Sequence, residues 1–246
     1  MPKSHAERLR AILAESARLR RIQIDSHGLT DAQRSLSAWQ SQRLARTYRD
    51  LSDTPRFSAA VQFFLSDLYG DRDFSQRDSD IERVYPLMIK VLSEPAIASL
   101  TVAFELHTLS QSLDTRMLDV LTRDLGVKLD GTAEAFTAAQ YGEAYRLCDN
   151  SRERKRQIEL VLEAGELLDS VVRKPMIYTT VKLARKPARI AGFGELQDFI
   201  ERGFSAFRRM KDATPFLTAV KERETAISEA IFAGQPPEEW LEAGHS

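Results

Sequence analysis

The sequence contains one cysteine, Cys148, in 246 residues. A lone thiol closes no intramolecular disulfide and builds no cysteine-based zinc site, and such scarcity suits a reducing compartment. Histidine is nearly as rare: His5, His27, His107 and His245 are the full set, and none falls between 108 and 244. No apolar run approaches the roughly 18 residues of a spanning helix. The opening MPKSHAERLRAILAESARLRR has no apolar h-region of a secretory leader. A soluble, cytoplasmic protein is the expectation. The sequence holds no G-x-S-x-G, H-E-x-x-H or P-loop pattern. Gly192-Phe193-Gly194 lacks the third glycine and the preceding strand of a dinucleotide site. Net charge is −1, so no whole-molecule pull toward nucleic acid exists, and no sequence-specific nucleic-acid partner is expected.

What is present is helical punctuation. Ser4 with Glu7 reads as a capping box. Leu9, Ile12, Leu13, Leu19 and Ile22 follow at helical spacing, and Gly28 can end that segment. Thr30 or Asp31 can cap a second helix to about Leu51. Thr54-Pro55 and Thr214-Pro215 both read as an N-cap followed by proline at the first helical position. The first opens Phe57 to Tyr69, closed by Gly70, and the second a helix closed by Gly234. Pro95 can begin a long helix to Leu125, closed by Gly126, with Leu106, Leu109, Leu113, Met117 and Val120 as its core stripe.

Thr132 to Leu147 and Ser151 to Val172 are two more helices, broken near Asp149-Asn150. Pro175 and Pro187 bracket a short one. Phe193, Leu196, Ile200, Phe204, Phe207 and Met210 mark another as a packing stripe, and Pro236 to Leu241 suggests a final short turn. Asp130-Gly131 is the one hairpin-type dipeptide, and it sits between helical patterns. The reading is all-α: an irregular bundle of about nine or ten helices in one domain over 1–246, with a weak seam near 126–131.

Charge is uneven along the chain, at +5 over residues 1–50, −7 over 51–150 and +1 over 151–246. The densest polar cluster runs from Asp71 to Glu82. Asp71, Asp73, Ser75, Ser79 and Glu82 fall on the liganding positions of a calcium loop. Gln76 stands where glycine should make the turn, and Arg72 and Arg77 add positive charge, so a solvated interhelical loop is the expectation. His107, flanked by Leu100, Phe104 and Gln111, is expected to be a hydrogen-bonded histidine at the core boundary, with a haem-ligand or proton-carrier role as the alternative. Glu105-Leu106-His107 is not the Glu-x-x-His of ferritin-like di-iron sites, however.

From Arg173 to Arg189 there are six basic residues and no acid. At helical pitch Lys182, Arg185, Lys186 and Arg189 share one side, with Ile177, Val181 and Ala184 opposite. The plainer expectation is a helix packed by its apolar face with its lysines solvated outside. The alternative is a surface for an acidic protein partner, a phosphate-rich ligand or an anionic membrane. Arg8, Arg10, Arg18, Arg20 and Arg21 form a second basic face. Cys148 lies near a helix C-terminus, where the dipole disfavours a thiolate, so a nucleophile there is not expected.

The run Phe63-Phe64-Leu65-Ser66-Asp67-Leu68-Tyr69-Gly70, then Asp73-Phe74 and Arg77-Asp78, resembles a pattern in a family of uncharacterised bacterial helical proteins. Glu105 to Leu109, Leu113-Asp114 and Arg223-Glu224 share the resemblance, which spans most of the chain. It implies no activity, but it raises Asp67, Tyr69, Arg77, Asp78, His107 and Asp114 as residues to test.

The functional expectation is a non-enzymatic helical scaffold or regulatory binding protein that engages a protein partner, or itself, through its basic helices. One alternative is a pocket protein holding an acyl chain, haem or other apolar ligand near His107. Another is an enzyme that uses Asp67, Tyr69, Arg77 and His107, which requires them to converge. No cofactor or metal is assigned.

Overall fold

A computed structural model describes residues 5–25, 28–68, 80–81, 83–86 and 94–242. The expected bundle is there. The elements, in chain order, are α1 (His5–Gln23), β1 (Ile24–Asp25), β2 (Gly28–Leu29), α2 (Asp31–Thr47), α3 (Arg49–Asp53), α4 (Ser58–Phe63) and α5 (Glu94–Asp119). They continue as α6 (Ala138–Leu147), α7 (Ser151–Val172), α8 (Pro175–Ile190), α9 (Gly194–Met210), α10 (Thr214–Phe232) and α11 (Pro237–Glu242). Two π-helical turns extend α4 and α5, over Phe64–Leu68 and Val120–Asp124. No helix among the described residues is long and apolar enough to cross a membrane.

The long α5 is the spine. α1 lies along it, with Leu9 and Leu13 buried against Ile97 and Ile81, and Arg8 reaches Glu105 at 2.5 Å. The basic N-terminal face therefore rests partly on the chain's own acid. α7 packs on another side of α5, then meets α10 and α9. A Cβ added at Gly165 of α7 would stand 2.4 Å from Cδ2 of Leu217 on α10. A side chain at 165 would therefore force Leu217 to move from its present place. Gly126, at φ +64°, stops the spine in the left-handed region that glycine adopts without strain.

Apolar side chains separate into two large cores. One gathers Leu36, Met117, Leu121, Phe136, Tyr141 and Trp240. The other gathers Leu44, Val61, Val161, Phe207, Phe216 and Val220. The stripe read from α5 is confirmed at Leu113, Met117 and Val120, all buried.

Several boundaries depart from the sequence reading. α1 ends at Gln23 rather than Gly28, and a two-residue antiparallel ladder follows, pairing Ile24 with Leu29 and Asp25 with Gly28. Thr30 does cap α2, accepting from the Gln33 N–H at 3.2 Å, but α2 stops at Thr47 and α3 follows separately. Thr54 caps no helix start. Its hydroxyl donates back to the Asp50 carbonyl, and α4 begins after Phe57.

Thr214 lies inside α10, where Asp212 Oδ1 accepts from its N–H at 3.0 Å. The segment from Thr132 opens as a 3₁₀ turn, and α6 starts only after a capping box of Thr137 with Gln140. Pro187 does not end α8, which runs on to Ile190. Leu183, whose carbonyl would have bonded the missing N–H, is exposed, as is Pro187, so water can serve that carbonyl. Ser4, Tyr69, Gly70 and the Asp71–Ser79 and Glu82 stretches of the calcium-like loop lie outside the described residues.

Candidate functional site

A cavity of about 80 Å³ lies where the two cores meet. Its walls come from α2, the π turn after α4, α5, α6, α7, α10 and α11, and they are unusually polar for an interior. Arg43 of α2 donates to Glu224 of α10 at 2.5 Å, and the Tyr48 hydroxyl donates to the same oxygen at 2.9 Å. Gln40, one turn before Arg43, donates to Asp114 of α5 at 3.0 Å. On α7, Gln157 donates to Ser110 at 2.8 Å and accepts from Arg154 Nη1 at 3.2 Å. Tyr145 and Ser228 share a hydrogen bond at 3.1 Å. Tyr141, Tyr145 and Trp240 add aromatic wall. Trp39 stacks on Tyr141 at 3.9 Å between centroids, and Trp240 sits 6.3 Å from the same ring.

The helical register explains the convergence. Gln40, Arg43 and Leu44 share one face of α2, as Ser110 and Asp114 do on α5, and Arg154, Gln157, Ile158 and Val161 on α7. Each face mixes apolar and polar residues, so no face reads as a charged strip.

Burial shapes the electrostatics. It works against the charge on Arg43, but Glu224, with Tyr141 and Tyr48, outweighs it, and the guanidinium is held above its ordinary value. Burial works against Arg154 as well, where Tyr145, Tyr141 and Asp114 outweigh it. Both arginines are cations in the interior. Burial pushes the Tyr141 phenol up to about 12, against the pull of Arg154 and Arg43.

Burial also raises the Asp114 carboxyl above its ordinary 3.8, although the Gln40 hydrogen bond and the charges of Arg154 and His107 lower it. A carboxyl whose folded value is raised binds its proton more tightly when folded. Its contribution to stability is therefore greatest below 3.8 and declines as pH rises through the folded value. Asp114→Asn is expected to raise the urea midpoint at pH 8 and to leave it unchanged at pH 3. Equal effects at both pH values would show that the carboxyl ionises as freely folded as unfolded.

Of the described residues raised from sequence as ones to test, Asp114 lines this cavity, and so do Phe64, Leu65 and Glu224 of the family pattern. His107, two turns earlier on α5, is half-buried and does not line it. Asp67 is buried on the α9 side, where Arg202 donates to Oδ1 from Nε at 2.9 Å and from Nη2 at 2.6 Å. It locks α4 to α9. Tyr69, Arg77 and Asp78 lie outside the described residues.

The basic face of α8 divides. Arg185 pairs with Glu201 and Arg189 with Asp198, both on α9. Lys182 stands over the Tyr178 ring at 4.6 Å, and Lys186 is exposed. The Arg185 hydrogen bond holds the Glu201 carboxyl down to about 2, from an ordinary 4.5. A depressed carboxyl contributes stability above 4.5 that is lost as pH falls toward 2. A carbon-detected NMR titration of Glu201 is expected to show its midpoint near 2, and a midpoint near 4.5 would mean the pair is open in solution.

The outward stripe of α8 is apolar instead. Met176 is 82%, Leu183 72% and Ile190 80% exposed. Cys148 is buried, and burial pushes its thiol up. Among the described residues, no three His, Cys, Asp or Glu side chains gather as a metal ion requires.

Sequence reading missed Gln40, Arg43, Tyr48, Tyr141, Tyr145 and Arg154. Arg154 sits in the run Arg152-Glu153-Arg154-Lys155-Arg156, which looks like a solvated helix start. The available signal was its spacing, four and seven residues before Ile158 and Val161, which places it on the buried face.

A family model described as a domain of unknown function (DUF8198) matches residues 19–238. No curated protein and no solved structure matches the chain.

Proposed function

This chain belongs to the DUF8198 family, and from that premise we propose that it is a helical binding protein whose interior cavity holds a small polar molecule. The observation that carries this is the convergence of one buried guanidinium, Arg154, one partly buried guanidinium, Arg43, two carboxyls and three phenols on one cavity between two apolar cores. Packing alone gains nothing from such an arrangement, since apolar side chains of similar volume stabilise as well or better. Concave sites with a few convergent polar groups are the usual form of ligand sites. A single water needs about 10–15 Å³ of such space, so the cavity has room for on the order of half a dozen non-hydrogen atoms. Haem and acyl chains are larger than that, so the ligand is polar and small.

Ligand-observed NMR with a cocktail of small acids, amides and alcohols tests this reading, with Trp240 emission as a second readout, since that ring lines the cavity. Some compounds are expected to bind the wild type and to lose binding in Ser228→Leu, which fills the space. A cocktail that cannot tell the two proteins apart would sink the reading.

A second reading, engagement of a protein partner, draws on α8. Met176, Leu183 and Ile190 recur every seven residues on its exposed side, the interval of a helix–helix seam. Sedimentation of the wild type and of the Met176→Ser/Leu183→Ser/Ile190→Ser variant tests whether that partner is a second copy. A mass that rises with concentration only in the wild type supports it, and two identical monomers count against it.

A further inference from the structure

Arg154 is 5% exposed. Its Nη1 donates to Gln157, but its Nε and Nη2 find no acceptor among the described residues. Those two nitrogens share one edge of the guanidinium, the edge that offers two parallel N–H bonds to a planar acceptor. The chain uses that edge elsewhere. Arg185 gives Nε and Nη2 to the two oxygens of Glu201, and Arg202 gives the same pair to Asp67. At Arg154 the edge belongs to a side chain that lines the cavity. The guanidinium carbon lies 4.5 Å over the Tyr145 ring, a second contact that holds the group beside the cavity.

Charge matching points the same way. The other cavity guanidinium, Arg43, already has Glu224. Asp114 accepts from Gln40 and forms no ion pair with Arg154 among the described residues. One positive charge in this interior is therefore unmatched by any carboxylate in contact. A buried donor without an acceptor is costly, and a buried cation without an anion is costlier.

Resting on the ligand-binding reading above, we infer that the cavity takes a small monocarboxylate whose two oxygens accept from Nε–H and Nη2–H of Arg154. The short tail lies against apolar wall residues such as Ile158, Val161 and Ile227. The planar fork selects a planar acceptor over a tetrahedral one.

The test follows the Nε–H signal of Arg154 in ¹⁵N-labelled, full-length protein. Propionate, propionamide and inorganic phosphate are titrated separately. Propionate is expected to move that signal saturably. Propionamide, matched in size but neutral, is expected to bind about ten- to a hundredfold more weakly. Arg154→Lys keeps the charge and loses the fork, and is expected to weaken propionate by about tenfold or more while sparing propionamide. If that variant does not fold, the wild-type titration decides alone.

Propionamide binding as tightly as propionate, with the Nε–H signal unmoved, overturns the carboxylate anchor and leaves the ligand-binding reading standing. Phosphate moving the signal at lower concentration than propionate overturns the carboxylate class in favour of a tetrahedral anion. If no probe separates the wild type from Ser228→Leu, both the anchor and the reading fall.

Discussion

Glu224→Leu is expected to lower the unfolding free energy by about 3–5 kcal/mol. The change strands Arg43, a cation enclosed by α2, α6 and α10, and removes the acceptor of the Tyr48 hydroxyl at the same time. The loss comes mostly from the charge left behind, not from the attraction removed, because the pair had already given up its hydration. The double variant Arg43→Met/Glu224→Leu is therefore expected to recover most of the stability, and the coupling between the two changes to exceed about 2 kcal/mol. Urea unfolding of the four proteins measures it. A single-variant cost below about 1 kcal/mol would place water at Arg43 in the folded protein.

Trp240→Ala is expected to cost about 3–5 kcal/mol by a different route. Trp240 is 1% exposed and belongs to a helix of only six residues. Its ring packs against Gly142 of α6, with Cζ2 3.6 Å from where a Cβ would stand, and lies within 6.3 Å of both Trp39 and Tyr141. Truncation leaves a void that the aromatic cluster cannot close without unstacking Trp39 from Tyr141. Thermal unfolding and near-ultraviolet circular dichroism check it, with loss of aromatic signal expected in the folded baseline. Because Trp240 also lines the cavity, this variant is expected to bind small ligands less selectively. Glu224→Leu instead removes a polar wall without enlarging the space.

The architecture was readable wherever a periodic apolar stripe met a stop. α5 with Gly126 and α10 with Gly234 both ended as expected. Misreadings came from residues whose local preference was overruled. Pro187 lacks an N–H and by itself predicts a helix end, but on the outer face of α8 the Leu183 carbonyl is open to water. Thr54 before Pro55 predicts a helix start, but its hydroxyl bonds the preceding turn instead.

The candidate site was harder to see, because it has no local signature. Its polar residues are drawn from α2 and its C-cap, α5, α6, α7 and α10, a few from each, and spacing marks at most the buried face of one helix, as at Arg154. Asp114 and Glu224 stood out only through the family resemblance. Convergence is a property of packing between helices, and periodicity within one helix carries no information about which neighbour it will face.

The π turn over Phe64–Leu68 makes one segment serve two structures. Phe64 and Leu65 form cavity wall, while Asp67 anchors α9 through Arg202. A π turn holds one residue more than an ordinary turn. Deleting a single residue there would restore the ordinary turn, since five residues at π pitch sweep about the same angle as four at α pitch. Four positions would then have to supply what five now share between wall and anchor, so one of the two would lose a side chain. Side-chain replacement alters what the wall is made of, whereas a change in chain length at this turn alters how many side chains it can present. Chain length is thus a separate coordinate along which this interior can be retuned, and a one-residue length change at 64–68 would be its mark.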